Sequence, residues 1–264
     1  MAVKIFNEFK ENLKKGLPVA LATIIEGPGQ GAKLLLLPDG SYLGSLGNEK
    51  IDNVLSRDMA GELAAGRTSI RHYGIEGEAR EETLSIFIES FAPPPQMVIF
   101  GAVDFTAALV RIAKVLGYKV IVCDARPVFA TKARFPQADS VENEWPNQLM
   151  EKLGTSLGPR DAVCVLTHDN KFDVPAITSA LQTQVGYIGV MGSRKTHENR
   201  TERLIEAGVT TKEFERVMSP IGLDLGARTP EETAISICAE IIAMRTGRKA
   251  PHLKTIEGAI HGDR

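Results

Sequence analysis

Apolar residues recur along this chain with two different periods, and the places where the period changes mark its elements. Ile5, Phe6, Phe9 and Leu13 fall at helical spacing, and Gly16 stands where that helix should stop. Residues 18–25 read as a strand, and the glycines at 27, 29 and 31 around Pro28 require a loop. Residues 33–37 and 41–46, joined by Pro38-Asp39-Gly40, read as a hairpin. A helix over 50–65, ended by Gly66, and strands over 68–73 and 83–91 complete a small α+β block.

Three consecutive prolines at 93–95 favour a stiff, extended connection, so the chain is divided into an N-terminal domain (1–91), a linker (92–96) and a second domain (97–264). In the second domain strands at 97–100, 119–123, 161–166 and 185–190 alternate with helices at 105–116, 174–181 and 196–207. Asp173 is expected to cap the second of these helices, with Pro175 in its first turn. A final helix opens at Thr229-Pro230-Glu231-Glu232, where Thr229 and Glu232 form a capping box. Strands separated by helices of this length imply crossovers and a parallel sheet. The fold class is α/β: a small α+β domain followed by a Rossmann-like domain.

The composition matches a soluble globular protein. The chain has 264 residues, 31 Lys+Arg against 33 Asp+Glu, and 43% hydrophobic residues. That balance disfavours a nucleic-acid binder. Apolar runs such as 19–25 are far shorter than the ~18 residues a membrane span needs, and no secretory h-region opens the chain, so a cytoplasmic address is expected. The three cysteines, Cys123, Cys164 and Cys238, lie far apart in apolar segments and suit neither a disulfide framework nor a metal site.

Candidate chemistry sits after the strands of the second domain. The first βα turn, Gly101-Ala102-Val103-Asp104, retains one of the three glycines of a dinucleotide site, with Val103 and Asp104 adding bulk and negative charge where a pyrophosphate would lie, so NAD(P) is not expected. Asp124 ends the next strand where a ribose-binding acid belongs, or forms a polar strand end. His168 and Asp169 follow the third strand and suit acid–base work or metal holding, or simple loop hydrogen bonding. Gly192, Ser193, Arg194 and Lys195 lead into a helix whose start would favour an anion such as phosphate, the alternative being an exposed Arg194–Glu198 pair. Asp224, and beside it Arg228, lie on a glycine-punctuated loop before the last helix and could face a ligand.

The run Ser-Pro-Ile-Gly-Leu-Asp-Leu-Gly-Ala-Arg-Thr-Pro-Glu-Glu-Thr from 219, with Gly-Val-Met-Gly-Ser-Arg-Lys from 189, Thr167-His168-Asp169 and Arg134-Phe135-Pro136, resembles the xanthine dehydrogenase accessory factors of the XdhC/CoxI type over nearly the whole chain. The resemblance implies a homodimer that binds a molybdopterin-type cofactor and helps mature a molybdenum hydroxylase, with a cysteine desulfurase as a further partner. It points to a cofactor-handling accessory protein rather than a dehydrogenase; the competing classes are a nucleotide-dependent oxidoreductase and a catalytically silent dimeric scaffold. Lys50 and Arg80 stand where the family carries cysteines, which replaces soft sulfur ligands with cations. By the family's geometry, both are expected to face one cationic cleft.

Overall fold

The computed structural model describes residues 2–78, 81–167, 169–192 and 194–257, with the side chains of Thr155 and residues 194–199 outside the description. The backbone forms two compact units, Met1–Pro94 and Pro95–Arg264.

In the first unit α1 (Ala2–Lys14) precedes β1 (Val19–Glu26), β2 (Lys33–Leu36), β3 (Tyr42–Ser45), α2 (Glu49–Ala65), β4 (Ser69–Tyr73) and β5 (Leu84–Phe91). The five strands form an antiparallel sheet in the order β3-β2-β1-β5-β4. Alternation along β1 sends Ala20, Ala22 and Ile24 to one face, where Ile51, Leu55 and Met59 of α2 cover them. Val19 points to the other face, which Ile5 of α1 covers. Asn48 starts α2 by accepting from the Lys50 and Ile51 N–H groups, and Gly66 ends it in the left-handed conformation at φ 63°. The apolar stripe read on α1 is used only in part: Ile5 is buried and Phe9 packs edge-on against Phe91, while Phe6 and Leu13 are exposed.

The second unit continues with β6 (Gln96–Phe100), α3 (Asp104–Val115), β7 (Lys119–Cys123), β8 (Ser140–Glu142), α4 (Pro146–Leu153), β9 (Ala162–Val165), α5 (Asn170–Leu181), β10 (Tyr187–Val190), α6 (Arg194–Glu206), α7 (Thr211–Phe214), β11 (Val217–Met218) and α8 (Pro230–Thr246). All six strands are parallel, in the order β11-β10-β9-β6-β7-β8. Numbered along the chain this is the 3-2-1-4-5-6 order of the Rossmann fold, with its switch point between β6 and β9. Helices α3 and α8 pack on one face, where Leu109, Ile237 and Ile241 meet Ile99, Val122 and Cys164. The other face is covered by α4 and α5 through Leu149, Ala176 and Ile177, and by Leu204 of α6.

Helix α5 differs from its sequence reading. It begins at Asn170, with Asp169 as the cap accepting from the Lys171 N–H, so Pro175 lies inside the helix and Asp173 is a buried first-turn residue. The earlier start puts Asp173 where a cation from another helix meets it, and a partner of that kind is invisible to local pattern. The short β8, α4, α7 and β11 carry no clear sequence signal because, unlike the equally short β9, they hold no apolar run longer than two residues.

Candidate ligand site at the carboxyl ends of the parallel strands

Because every strand of the second unit runs the same way, the segments that follow β6, β7, β9, β10 and β11 leave from one edge of the sheet. Gly101, Asp124, Asp169, Gly192 and Asp224 all belong to these segments. Lys50 belongs to the first unit instead, in the first turn of α2, where its ammonium pairs with Glu76 at 2.7 Å while both side chains stay exposed. His168, Ser193 and Arg80 lie outside the described residues. Arg194 and Lys195 begin α6, and only their backbone is described.

Asp124 organises the edge. Its Oδ2 accepts from the Ala102 N–H at 2.8 Å and from Arg126 Nη2 at 2.7 Å, and its Oδ1 accepts from the Arg126 N–H at 3.0 Å and from Nε at 2.9 Å. A carboxylate has about four acceptor positions, and all four are used, so none is left for a ribose hydroxyl. Burial by itself would raise the Asp124 pKa; the hydrogen bonds from the Arg126 side chain, Ala102 and the Arg126 backbone outweigh it, and the group is held below the ordinary carboxylate value.

The same contacts close the first βα turn. With the Ala102 N–H committed to Asp124, the Val103 N–H goes to the Thr106 hydroxyl at 3.3 Å, and that hydroxyl in turn donates to the Gly101 carbonyl at 2.5 Å. Gly101, at φ 109°, is required by packing: a Cβ there would come within 2.8 Å of Thr167 Cγ2 and 3.0 Å of its backbone nitrogen. A turn whose amides serve its own carboxylate and hydroxyl offers a pyrophosphate little.

Beyond Asp124 runs a ladder of rings and cations. Trp145 and Phe172 lie 5.0 Å apart between ring centroids. The Arg126 guanidinium is 5.9 Å from the Phe172 ring and 4.5 Å from Phe129, and Arg134 is 5.6 Å from Phe129 and 5.3 Å from Phe135. Lys171 also approaches Phe172, at 4.9 Å. Phe172 and Phe135 are buried, whereas Phe129 and Trp145 are 40% and 43% exposed. Arg134 is fixed by donating to the Ala102 and Phe129 carbonyls at 2.9 and 3.2 Å. Each guanidinium over a ring face contributes about 0.5–1 kcal/mol at such partly exposed positions. Asp124 and Arg126 carry a signal in the sequence, as an acid and a base at a strand end. Phe129, Trp145 and Phe172 carry none, because they come from three separate segments.

A second buried centre ties the far strands together. Arg200, on α6, donates to Asp173 Oδ2 and to the Met191 carbonyl, both at 2.9 Å, and lies 3.4 Å from the Ser219 hydroxyl. Thr167 donates to the other Asp173 oxygen. The ends of β9, β10 and β11 therefore meet on one ion pair. The loop that carries Asp224 is held by Glu240, whose Oε2 accepts from the Tyr187 hydroxyl at 2.5 Å and from the Gly222 N–H at 2.9 Å. Asp224 itself is exposed.

The three thiols are buried in β7, β9 and α8. Loss of water around them raises Cys123 and Cys238 to about 12 and holds Cys164 well above the ordinary thiol value. None of these sulfurs is positioned as a ligand or a nucleophile. Among the described residues no group of three or more His, Cys, Asp or Glu is placed to hold a metal ion, and no helix is long and apolar enough to cross a membrane.

Comparison with known proteins places this arrangement. A family model described as the XdhC Rossmann domain matches residues 97–241, and one described as the XdhC and CoxI family matches residues 13–74. A probable xanthine dehydrogenase subunit from Bacillus subtilis (strain 168) is 36% identical over 165 residues, which is 62% of this chain and 47% of that protein. The uncharacterized protein YqeB of Escherichia coli (strain K12) is 24% identical over 255 residues, 92% of this chain and 46% of that one. The molybdenum cofactor insertion chaperone PaoD of the same strain is 25% identical over 162 residues, 61% of this chain and 44% of that one. The chain thus spans about half the length of the curated relatives it matches. A crystal structure of a xanthine dehydrogenase from Bacillus halodurans shares the fold, with a TM-score of 0.54 and 22% identity over 93% of this chain and 97% of that one.

Proposed function

Since the chain belongs to the XdhC and CoxI family, we propose that it serves in the maturation of a molybdenum enzyme, handling a molybdopterin-type cofactor on behalf of a molybdenum hydroxylase. The observation that carries this reading is the first βα turn. The sheet has Rossmann order, yet the amide that would meet a pyrophosphate is bound to Asp124, so the domain keeps the ligand-binding architecture without the dinucleotide turn of a hydride-transfer enzyme. The kinship with an insertion chaperone supports the same direction.

The strand ends fit the organic part of such a group in chemistry, because they offer guanidinium donors and aromatic rings. When bound, the cofactor supplies the redox chemistry of the client, and this chain's part is to bind, orient and release it. In this reading Gly192, Ser193, Arg194 and Lys195 hold the phosphate at the start of α6, where the helix N-terminus and two cations favour an anion. Asp224, with Gly101 and Asp124 shaping the floor, lines the same edge, and His168 or Asp169 moves a proton there. A homodimer working in the cytoplasm beside a cysteine desulfurase completes the picture; the desulfurase would act on the bound cofactor, since this chain's thiols are buried.

The test is to purify the chain from cells that make the cofactor, oxidise it, and read the fluorescent pterin released per mole of protein. Stoichiometric pterin that falls in Arg194→Ala and Lys195→Ala, with unchanged unfolding midpoints, is expected. Protein that carries no pterin under conditions where a known client is loaded would sink the reading.

A further inference from the structure

The ring-and-cation ladder does something the phosphate site cannot. Arg126, Arg134 and Lys171 each have a carboxylate nearby, Asp124 at 2.7 Å, Asp104 at 3.8 Å and Asp169 at 3.4 Å, so the described charges around the ladder balance. A balanced cluster does not select a polyanion. Its exposed elements are the Phe129 ring, the Trp145 indole and the Arg126 side chain, which is 43% exposed although its Nε and Nη2 are held by Asp124. Planar groups that keep ring and guanidinium surface in solvent recognise another planar conjugated group by stacking, and the remaining guanidinium donors suit ring carbonyl and nitrogen acceptors.

The rigidity comes from the fold. Arg126 is pinned by Asp124, which also holds the first βα turn, while Phe172 sits in the capped first turn of α5 and Trp145 at the start of α4. Arg134 is fixed by two backbone carbonyls. Little side-chain freedom is left to lose on binding, which favours a stacked ligand.

We infer that Phe129, Arg126 and Trp145 form a stacking subsite for a fused nitrogen heteroaromatic ring, a pterin or a purine, at the carboxyl ends of β7 and β9. This inference rests on the cofactor-handling reading above and names the part of the ligand that these strand ends hold; the phosphate end is left to the start of α6.

Trp145 is the single tryptophan of the chain and serves as the reporter. The full chain is titrated with pterin-6-carboxylate and, separately, with GMP, following Trp145 emission and the polarisation of the pterin's own fluorescence, with GMP also tested as a competitor. Saturable quenching is expected. Phe129→Ala weakens it about tenfold without moving the unfolding midpoint, and Phe129→Leu, which keeps apolar bulk but has no π face, gives the same loss. Binding of GMP with none of the pterin keeps the ring subsite and overturns the cofactor-handling reading. Failure of both rings to bind, or binding that both Phe129 variants leave unchanged, overturns the subsite.

Discussion

Asp173 and Arg200, 27 residues apart, face each other 2.9 Å apart with their side chains 1% and 0% exposed. A charge removed so fully from water is tolerated only with a partner, and breaking such a pair leaves the other ion buried and uncompensated. Asp173→Asn is expected to cost about 3 kcal/mol or more in urea unfolding. The double variant Asp173→Leu with Arg200→Met, which removes both charges, should recover most of that loss. A double variant as unstable as the single one would show that hydrogen bonds to Thr167, Met191 and Ser219, rather than charge, dominate the centre.

Asp124 should show its role through pH. Its folded pKa lies below the unfolded value of about 3.9, so the stability it contributes is fully present above that value and is lost as pH falls through the folded pKa. Asp124→Asn is expected to lower stability by about 2 kcal/mol at neutral pH, through loss of the charge-assisted bonds to Arg126 and Ala102. The gap to the wild type should stay level from neutral pH down to about 4 and narrow below it. Denaturant midpoints measured across that range check the sign; a gap that widens in acid contradicts the assignment.

The first βα turn makes a prediction about nucleotides. Calorimetry with NAD or NADP should show no micromolar affinity, because the Ala102 and Val103 amides are already bonded within the turn. Val103→Gly with Asp104→Asn removes bulk and charge yet leaves the Ala102 amide on Asp124, so the double variant should also fail to bind. A tight isotherm for the double variant would mean that the side chains alone had closed the turn.

Thiol chemistry should be absent from the folded chain. With Cys123 and Cys238 raised to about 12 by burial, the reactive thiolate is scarce at pH 8, and iodoacetamide should label none of the cysteines until guanidinium exposes all three. Incubation with a cysteine desulfurase and its substrate, followed by intact-mass measurement, should likewise show no sulfur adduct. A persulfide on any of them would restore a direct sulfur-transfer role.

Elements that need only a few neighbouring residues are written directly into this chain. The capping box at the start of α8 is legible because Thr229 and Glu232 are three apart and need only each other: Thr229 Oγ1 accepts from the Glu232 N–H at 3.2 Å, and Glu232 Oε2 accepts from the Thr229 N–H at 3.1 Å. The β-branched cores of β6, β7, β9 and β10 and the glycine after α2 are legible for the same reason, and with them the α/β class. Meetings between distant segments are settled by packing instead. An acid at a strand end, such as Asp124, suggests a ribose ligand; the packing of β7 beside β6 delivers it to the Ala102 amide, 22 residues away. Asp173 has the local look of a cap, but α6 brings Arg200 to it. The ladder from Trp145 to Phe135 gathers side chains from three segments, and only the parallel sheet, by sending all its strand ends to one edge, puts them within stacking distance.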